Sequence, residues 1–364
     1  MQKNTIRKAA ALAGIILLTA GCSRPWTMET DGSEIRFTAG STLLRTDTPS
    51  TKFGGLMADT EFSLGSHFRV WGAEIESSAR HSVFSGVEVT LEEVGAYRPY
   101  GDVWRYSPLA YWNPDAKYDF LAISGLTSYD AIACDPTAPE ALTATVSYCP
   151  TAEQHDILAA GYQRANSTTT PVHFQFQHIL SAVSVTVYND SPAIPVKLNA
   201  YNFRGICTNA DGKVQPDVNG LRTVRTSSWS PLTYTAEKVL GFTAGPNSSP
   251  TIEVASRFPE TAQWDLMIPQ SLIPDGEHIP QLYLDYEYDQ VNPYTGQMEH
   301  NHSQFPINLE TINVKNSDGC ITSWEPGKQY TYEIHIRLGG GITVNVSVTD
   351  WQEIHAETPG LTIS

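Results

Sequence analysis

The sequence predicts an all-β fold built as two β-sandwiches, and three observations carry that expectation. Short runs in which apolar and polar residues alternate recur between turn-forming residues, the period-two signature of half-buried strands. No stretch after residue 22 keeps the 3.6-residue apolar spacing of an amphipathic helix through three turns. Charged residues are only 17% of the 364, while 17 Tyr and 8 Trp supply bulk for packed sheets, a profile closer to a secreted β-rich chain than to a charged helical one. A chain of this length exceeds one ordinary core, so two domains are expected.

The chain begins with Lys3, Arg7 and Lys8, followed by the apolar run Ala9 to Ala20. A positive start ahead of a short apolar core reads as a secretory leader, and the run is shorter than the about 20 residues of a membrane-spanning helix. It closes on Leu18-Thr19-Ala20-Gly21-Cys22, whose small Ala20-Gly21 pair admits a peptidase and whose Leu-x-Ala-Gly-Cys spacing resembles a bacterial lipobox. The resemblance implies removal of residues 1–21 as a lipoprotein signal peptide and acylation of Cys22, which then holds the chain on a membrane surface. An ordinary leader with an incidental cysteine is the alternative. Residues 22–34 are polar and aperiodic and read as a tether.

The first folded run, Ile35-Arg36-Phe37-Thr38-Ala39, alternates apolar with polar residues. Ser41 to Arg45 forms a second short run, which gives way to the turn-rich Thr46-Asp47-Thr48-Pro49-Ser50-Thr51. Arg45 therefore stands at a strand-to-loop junction within reach of a protease. Phe68 to Ala73 reads as a strand, Ser85-Gly86 as a turn, and Val87 to Leu91 as the next strand, with Val87, Val89 and Leu91 on one face. Trp104 to Trp112 is aromatic-rich, Tyr118 to Ser124 reads as a buried strand, and Asp156 to Ala160 as a short apolar element.

The interval Asn166 to Pro171 is rich in Ser and Thr and sets the boundary between an N-terminal domain, 35–168, and a C-terminal domain, 169–364. Strong strand signals follow at Val172 to His178, Ile179 to Tyr188, Leu282 to Asp289 and Gln329 to Leu338. Beyond a glycine hinge, Gly339-Gly340-Gly341, the residues Ile342, Val344, Val346 and Val348 alternate again. One apolar and one wet face per strand is the pattern of antiparallel sheets.

Charge and motif content narrow the function. The formal charge is -16, and loss of Lys3, Arg7 and Lys8 with the leader makes it more negative, so nothing neutralises the phosphates of a nucleic acid partner. With Cys22 acylated, Cys134, Cys149, Cys207 and Cys320 remain, an even number in an oxidising compartment with three connectivities open. Cys134 with Cys149 is the most local candidate disulfide; free buried thiols are the alternative. His300 and His302 share a face of an extended segment, but no third ligand accompanies them and a solvated turn explains them. His173 and His178 fall on opposite sides of a strand. Asp285, Glu287 and Asp289 form a carboxylate row suited to calcium or, more simply, to a solvated sheet face. Neither zinc-finger spacing nor a Gly-x-Ser-x-Gly, His-Glu-x-x-His or phosphate-binding motif occurs, so the reading is of a protein that is no enzyme and holds no metal or cofactor.

Several motifs, taken in order, resemble the fimbrillin family, the Mfa-like pilins of type V pili. They are Trp104, Tyr111-Trp112 and Phe120-Leu121-Ala122, then Asp156-Ile157-Leu158-Ala159-Ala160, then Phe176-Gln177-His178-Ile179-Leu180-Ser181-Ala182-Val183, and near the end Pro326-Gly327-Lys328-Gln329-Tyr330 and Asp350-Trp351. The resemblance implies two transthyretin-like Greek-key β-sandwiches in tandem. It also implies export as an outer-membrane lipoprotein, maturation by an arginine-directed protease, and display at the cell surface in a fimbrium. Cleavage after Arg45 would remove the strand Ile35 to Arg45, with Arg36 and Lys52 as competing sites. Another pilin subunit's extended segment would then fill the groove, by addition of a strand to an unpaired edge. The candidate donor lies after the hinge or after Trp351. The alternative reading is a surface-anchored lipoprotein that binds a host or other glycan through Trp71, Trp104, Trp112 or Trp229. A β-sandwich hydrolase is a third.

Overall fold

The alternating runs become strands in a computed structural model, which describes residues 33–40, 62, 64–94, 102–126, 132–152, 154–166, 170–217, 224–234, 240–245, 248–339 and 341–351. Among them the helical content is a 3-10 turn at Leu309–Thr311, and the all-β expectation holds. A six-stranded sheet runs in the order β10 (Gln177–His178), β8 (Leu158–Ala165), β5 (Lys117–Ser124), β2 (His67–Glu76), β3 (Ala79–Glu93) and β4 (Val103–Arg105). Packed against one of its faces is a pair of parallel strands, β1 (Phe37–Gly40) and β9 (Val172–Gln175).

In the C-terminal half, β17 (Arg257–Phe258), β11 (Ser181–Asn189), β24 (Lys328–Arg337), β25 (Gly341–Asp350) and β22 (Asn313–Val314) form one sheet, with β18 (Trp264–Met267) beside β11. It faces a sheet of β15 (Leu240–Thr243), β12 (Val196–Arg204), β20 (Gln281–Val291) and β21 (Met298–Asn308), joined by β16 (Thr251–Ile252). A further sheet, β14 (Val224–Tyr234), β13 (Cys207–Pro216), β7 (Ala144–Tyr148) and β6 (Ile132–Cys134), takes two strands from each half. The short pair β19 (Gln270–Ser271) and β23 (Ser323–Trp324) completes the pattern.

Three apolar cores result. Phe68, Phe84, Phe120 and Phe174 lie in the first, and Val185, Phe203, Leu284, Tyr332 and Ile334 in the second. The third lies where the halves meet and contains Trp71, Leu121, Ile123, Val146, Ala210, Leu266 and Trp351. β5 explains why Tyr118 to Ser124 reads as an unbroken apolar run: Phe120 and Ala122 face the first core while Leu121 and Ile123 face the third, so neither side is wet. Asp119, which interrupts that run, is held at 2.9 Å by the equally buried Arg80. A charge placed inside needs such a partner.

The chain stays with the first core beyond the interval 166–171. Val172, Phe174 and Phe176 still pack there, Ile179, Leu180 and Ala182 join the third core, and Val183 opens the second. Ser85-Gly86, expected as a turn, lies inside β3. The register slips there, Gly86 adopts φ 70°, and the reversal falls at Ser77 instead, so the glycine marks a bulge. The run after the Gly339-Gly340-Gly341 hinge folds back on the strand before it, since β24 and β25 pair from Arg337 with Gly341 to Lys328 with Asp350.

The Cys134–Cys149 bond is absent, and all four described cysteines are free thiols. Hairpin register puts Cys134 opposite Ala144, five residues back from Cys149 along β7. At roughly 3.3 Å per residue that separates them by about 16 Å, far beyond disulfide reach.

Asp265 of β18 is half-buried, and burial pushes its carboxyl up from 3.8 to about 6. Between those values the folded chain keeps a proton that the unfolded chain has released, so stability falls as pH rises through the window. Asp265→Asn is therefore expected to raise stability at pH 7 by up to roughly 3 kcal/mol and to change it little at pH 4, by urea unfolding at both values. An equal effect at the two pH values would mean that shape, not charge, sets the difference.

Candidate functional site

β1 is four residues long, and its Phe37, Thr38 and Ala39 are all buried. Ile35, Phe37 and Ala39 turn inward and Arg36 turns out, as the alternation in the sequence requires. The Phe37 ring enters a box of aromatic rings, with centroids at 5.3 Å to Phe84, 5.5 Å to Tyr106, 5.7 Å to Phe120 and 5.4 Å to Phe174. Gly72 makes the box floor: a Cβ there would lie 2.8 Å from the Phe84 ring and 3.0 Å from that of Phe120. Full burial of side chains such as Ile35 and Phe37 contributes about 1.5–3 kcal/mol each.

Backbone groups hold the segment on two sides. Val172 N–H donates to the Arg36 carbonyl at 2.7 Å on the β9 side. On the other, Ile35 N–H donates to the Ala110 carbonyl at 2.9 Å and Trp112 N–H to the Ser33 carbonyl at 3.0 Å. Tyr106 clamps the segment by donating its hydroxyl to the Ile35 carbonyl at 2.5 Å, and burial pushes that hydroxyl's pKa up to about 12. A side-chain hydrogen bond also joins the strands of the β1–β9 ladder, between Thr38 Oγ1 and His173 Nδ1 at 3.0 Å, both buried. β1 thus fills a groove between β9 and residues 110–112. A strand in that position can be exchanged for another, because its removal bares a row of backbone donors and acceptors and a chain of apolar sockets.

Cys22 and Arg45, the lipidation and cleavage residues read from the sequence, lie outside the described residues, as do Lys52 and the segment after Trp351. β25 is paired throughout with β24, which commits the run after Gly341 to the sheet.

The motifs that carry the family resemblance converge far from one another in sequence. Asp156 Oδ2 lies 2.8 Å from His178 Nδ1, both buried. The His178 ring stacks on Trp351 at 4.1 Å with planes 2° apart. Trp351 N–H donates to the Gly327 carbonyl and Gly327 N–H to that of Leu180, each at 2.8 Å. Gly125, at φ 91°, passes the Asp156 carbonyl so closely that a Cβ would lie 1.8 Å from it. This cluster pins the end of β25 to the third core.

His300 and His302 are not in a turn but on β21, where register sets His300 opposite Asp289 and His302 opposite Glu287. His300 Nδ1 is 2.8 Å from Asp289 and His302 Nε2 is 2.9 Å from Asp285. Burial pushes the Asp285 carboxyl up, but hydrogen bonds from Asn199, His302 and Gln304 outweigh it and leave the carboxyl below its ordinary value. The carboxylate row is therefore met by histidines across its own hairpin, with Asp285 buried at one end and Asp289 exposed at the other. No group of three or more His, Cys, Asp or Glu among the described residues is placed to hold a metal ion. Of the tryptophans read as a glycan surface, Trp71, Trp104 and Trp112 are buried in cores and Trp229 is half-buried, so the structure assigns them to packing.

An all-β chain with these features falls within a recognised class. The chain belongs to the fimbrillin-like family, whose model matches residues 57–351. Solved structures similar to it include a candidate cell adhesion protein from Bacteroides uniformis, at 14% identity and a TM-score of 0.46, covering 88% of this chain and 98% of that one. A fimbrilin (FimA) from Porphyromonas gingivalis W83 aligns at 11% identity and a TM-score of 0.42, covering 88% and 97%. The tip fimbrial protein Mfa3 from Porphyromonas gingivalis aligns at 10% and 0.40, covering 79% and 95%. No curated protein matches the sequence.

Truncation of the ring that fills the box, Phe37→Ala, is expected to cost about 3–5 kcal/mol. In hydrogen exchange the amides of β1 and β9 should lose protection while those of β11 and β24 keep theirs. Equal loss in both halves would mean that β1 is bound into the global fold and is not separable from it.

Proposed function

We propose that the protein is a structural, non-catalytic subunit of a cell-surface fimbria. In this reading it is exported as a lipoprotein anchored in the outer membrane through Cys22 and is trimmed after Arg45 by an arginine-directed protease. It then joins its neighbours when an extended segment of another pilin subunit takes the place of β1. The observation that carries the reading is the seating of β1, a short strand paired, among the described residues, with β9 alone, with its apolar side chains buried in aromatic sockets. The chain leads from it directly towards Arg45. Membership of the fimbrillin-like family supports pilin subunits as partners, and the descriptions of the P. gingivalis relatives as a fimbrilin and a tip fimbrial protein agree with it. With β25 committed to its sheet, the donor segment is assigned to residues after Trp351.

The test is N-terminal sequencing of surface-extracted protein beside an unheated gel. The wild type is expected to begin at Thr46 and to run as a ladder of oligomers, and Arg45→Ala is expected to stay long and monomeric. If Arg45→Ala matures and assembles like the wild type, Arg45 is not the processing site. A lipidated Cys22 terminus on a monomeric wild type would remove the strand-exchange reading altogether.

A further inference from the structure

The sockets that receive Ile35, Phe37 and Ala39 are apolar, and shape alone would admit many hydrophobic strands. One contact in the groove is different in kind. Thr38, which points away from the aromatic box, sits opposite His173 in the parallel ladder, and its hydroxyl meets the imidazole Nδ1 at 3.0 Å with both residues buried. His173 belongs to β9, the wall of the groove that stays behind when β1 leaves, whereas Thr38 belongs to the strand that is replaced.

We infer that His173 is a specificity-determining residue of the groove and that it selects an incoming strand carrying threonine or serine between two apolar residues. The inference rests on the strand-exchange reading above and adds to it the chemistry of the partner segment. The direction of the segment is set as well. β1 runs parallel to β9 from Phe37 opposite Val172 to Gly40 opposite Gln175, so the replacement runs parallel too, with its hydroxyl residue in register with His173. Its preceding side chain occupies the box of Phe84, Tyr106, Phe120 and Phe174, where a large apolar or aromatic group fits. The following one occupies the site of Ala39, which is closed to solvent and takes a small group.

The physical basis is the asymmetry of buried hydrogen bonds. A hydroxyl can donate to a bare ring nitrogen or accept from a protonated one, so threonine or serine satisfies Nδ1 in either tautomer. Valine matches threonine in shape but sets a methyl group against that nitrogen, and an imidazole polar atom shut away from solvent without that partner is costly. Rejection of the wrong strand, rather than extra attraction for the right one, is then what gives the groove its selectivity.

The experiment uses the full-length chain with residues 46–51 replaced by the recognition site of a sequence-specific protease, so that β1 can be nicked from the body without being deleted. Fluorescent peptides of residues 33–40, carrying Thr38, Thr38→Ser or Thr38→Val, are offered to the nicked chain and their exchange into the groove is read by anisotropy. Threonine and serine peptides are expected to enter alike, and the valine peptide about tenfold more weakly. In a nicked His173→Leu chain that preference is expected to vanish or reverse. If this variant does not fold, the peptide series on the wild-type groove decides alone. Entry of the valine peptide as tight as that of threonine overturns the inference while leaving strand exchange in place. Failure of every peptide, the threonine one included, removes the strand-exchange reading itself and the inference with it.

Discussion

The N-terminal half depends on the occupancy of one groove. The six-stranded sheet has its third-core face covered by β6 and β7, strands contiguous with it in the chain, but its other face relies on β1 and β9. Phe84, Phe120 and Phe174 are arranged around Phe37, and Gly72 is bare of a side chain so that two of those rings can close beneath it. Without an occupant these rings face water, and the backbone of β9 loses its partner. An apolar, hydrogen-bonding cleft of this kind is stable only when filled, so whatever leaves must be replaced. The short length of β1 makes replacement feasible, since few ladder bonds hold it apart from its side chains.

A second constraint fixes the two halves to each other. β7 pairs with β13 over Ala144 to Tyr148, so a sheet passes from one half into the other. Beneath it the third core brings together Trp71 and Leu121 from one side and Leu266 and Trp351 from the other. The buried Asp156–His178 pair adds directionality that apolar packing lacks: removing either partner would leave the other polar group enclosed, a change that typically costs about 1–3 kcal/mol. The halves are therefore joined by backbone ladder, apolar core and a polar pair at once.

The all-β class and most strands were legible because burial on one face writes itself as alternation. Tyr330, Tyr332 and Ile334 in β24 needed no further information, whereas in β11 the polar Ser184 and Thr186 that alternate with Val183, Val185 and Val187 are buried as well, so there the alternation marks a strand but not a wet face. What could not be read were relations that depend on register over long separations. His300 and His302 gave no sign that β20 would return Asp289 and Glu287 to face them, because that pairing follows from where the hairpin turns. Cys134 and Cys149 are close in sequence yet point to opposite ends of one hairpin. The groove itself was half legible: the alternation of Ile35, Phe37 and Ala39 announced a strand, but the rings around Phe37 come from β3, β5, β9 and the segment after β4. The same holds for the junction, whose motif residues lie far apart along the chain.

The position of His178 links these features through one short stretch of backbone. β9 forms the permanent wall of the groove, Phe176 still packs into the first core, and His178 already stacks on Trp351 in the third. Residues 172–178 thus run from the site where β1 is seated to the point at which the chain leaves β25. At roughly 3.3 Å per residue this stretch spans about 20 Å of extended chain, with both ends buried. Extended backbone anchored at each end by aromatic packing has little freedom to stretch or turn, so the distance from groove to tail root is set by the fold rather than by a linker.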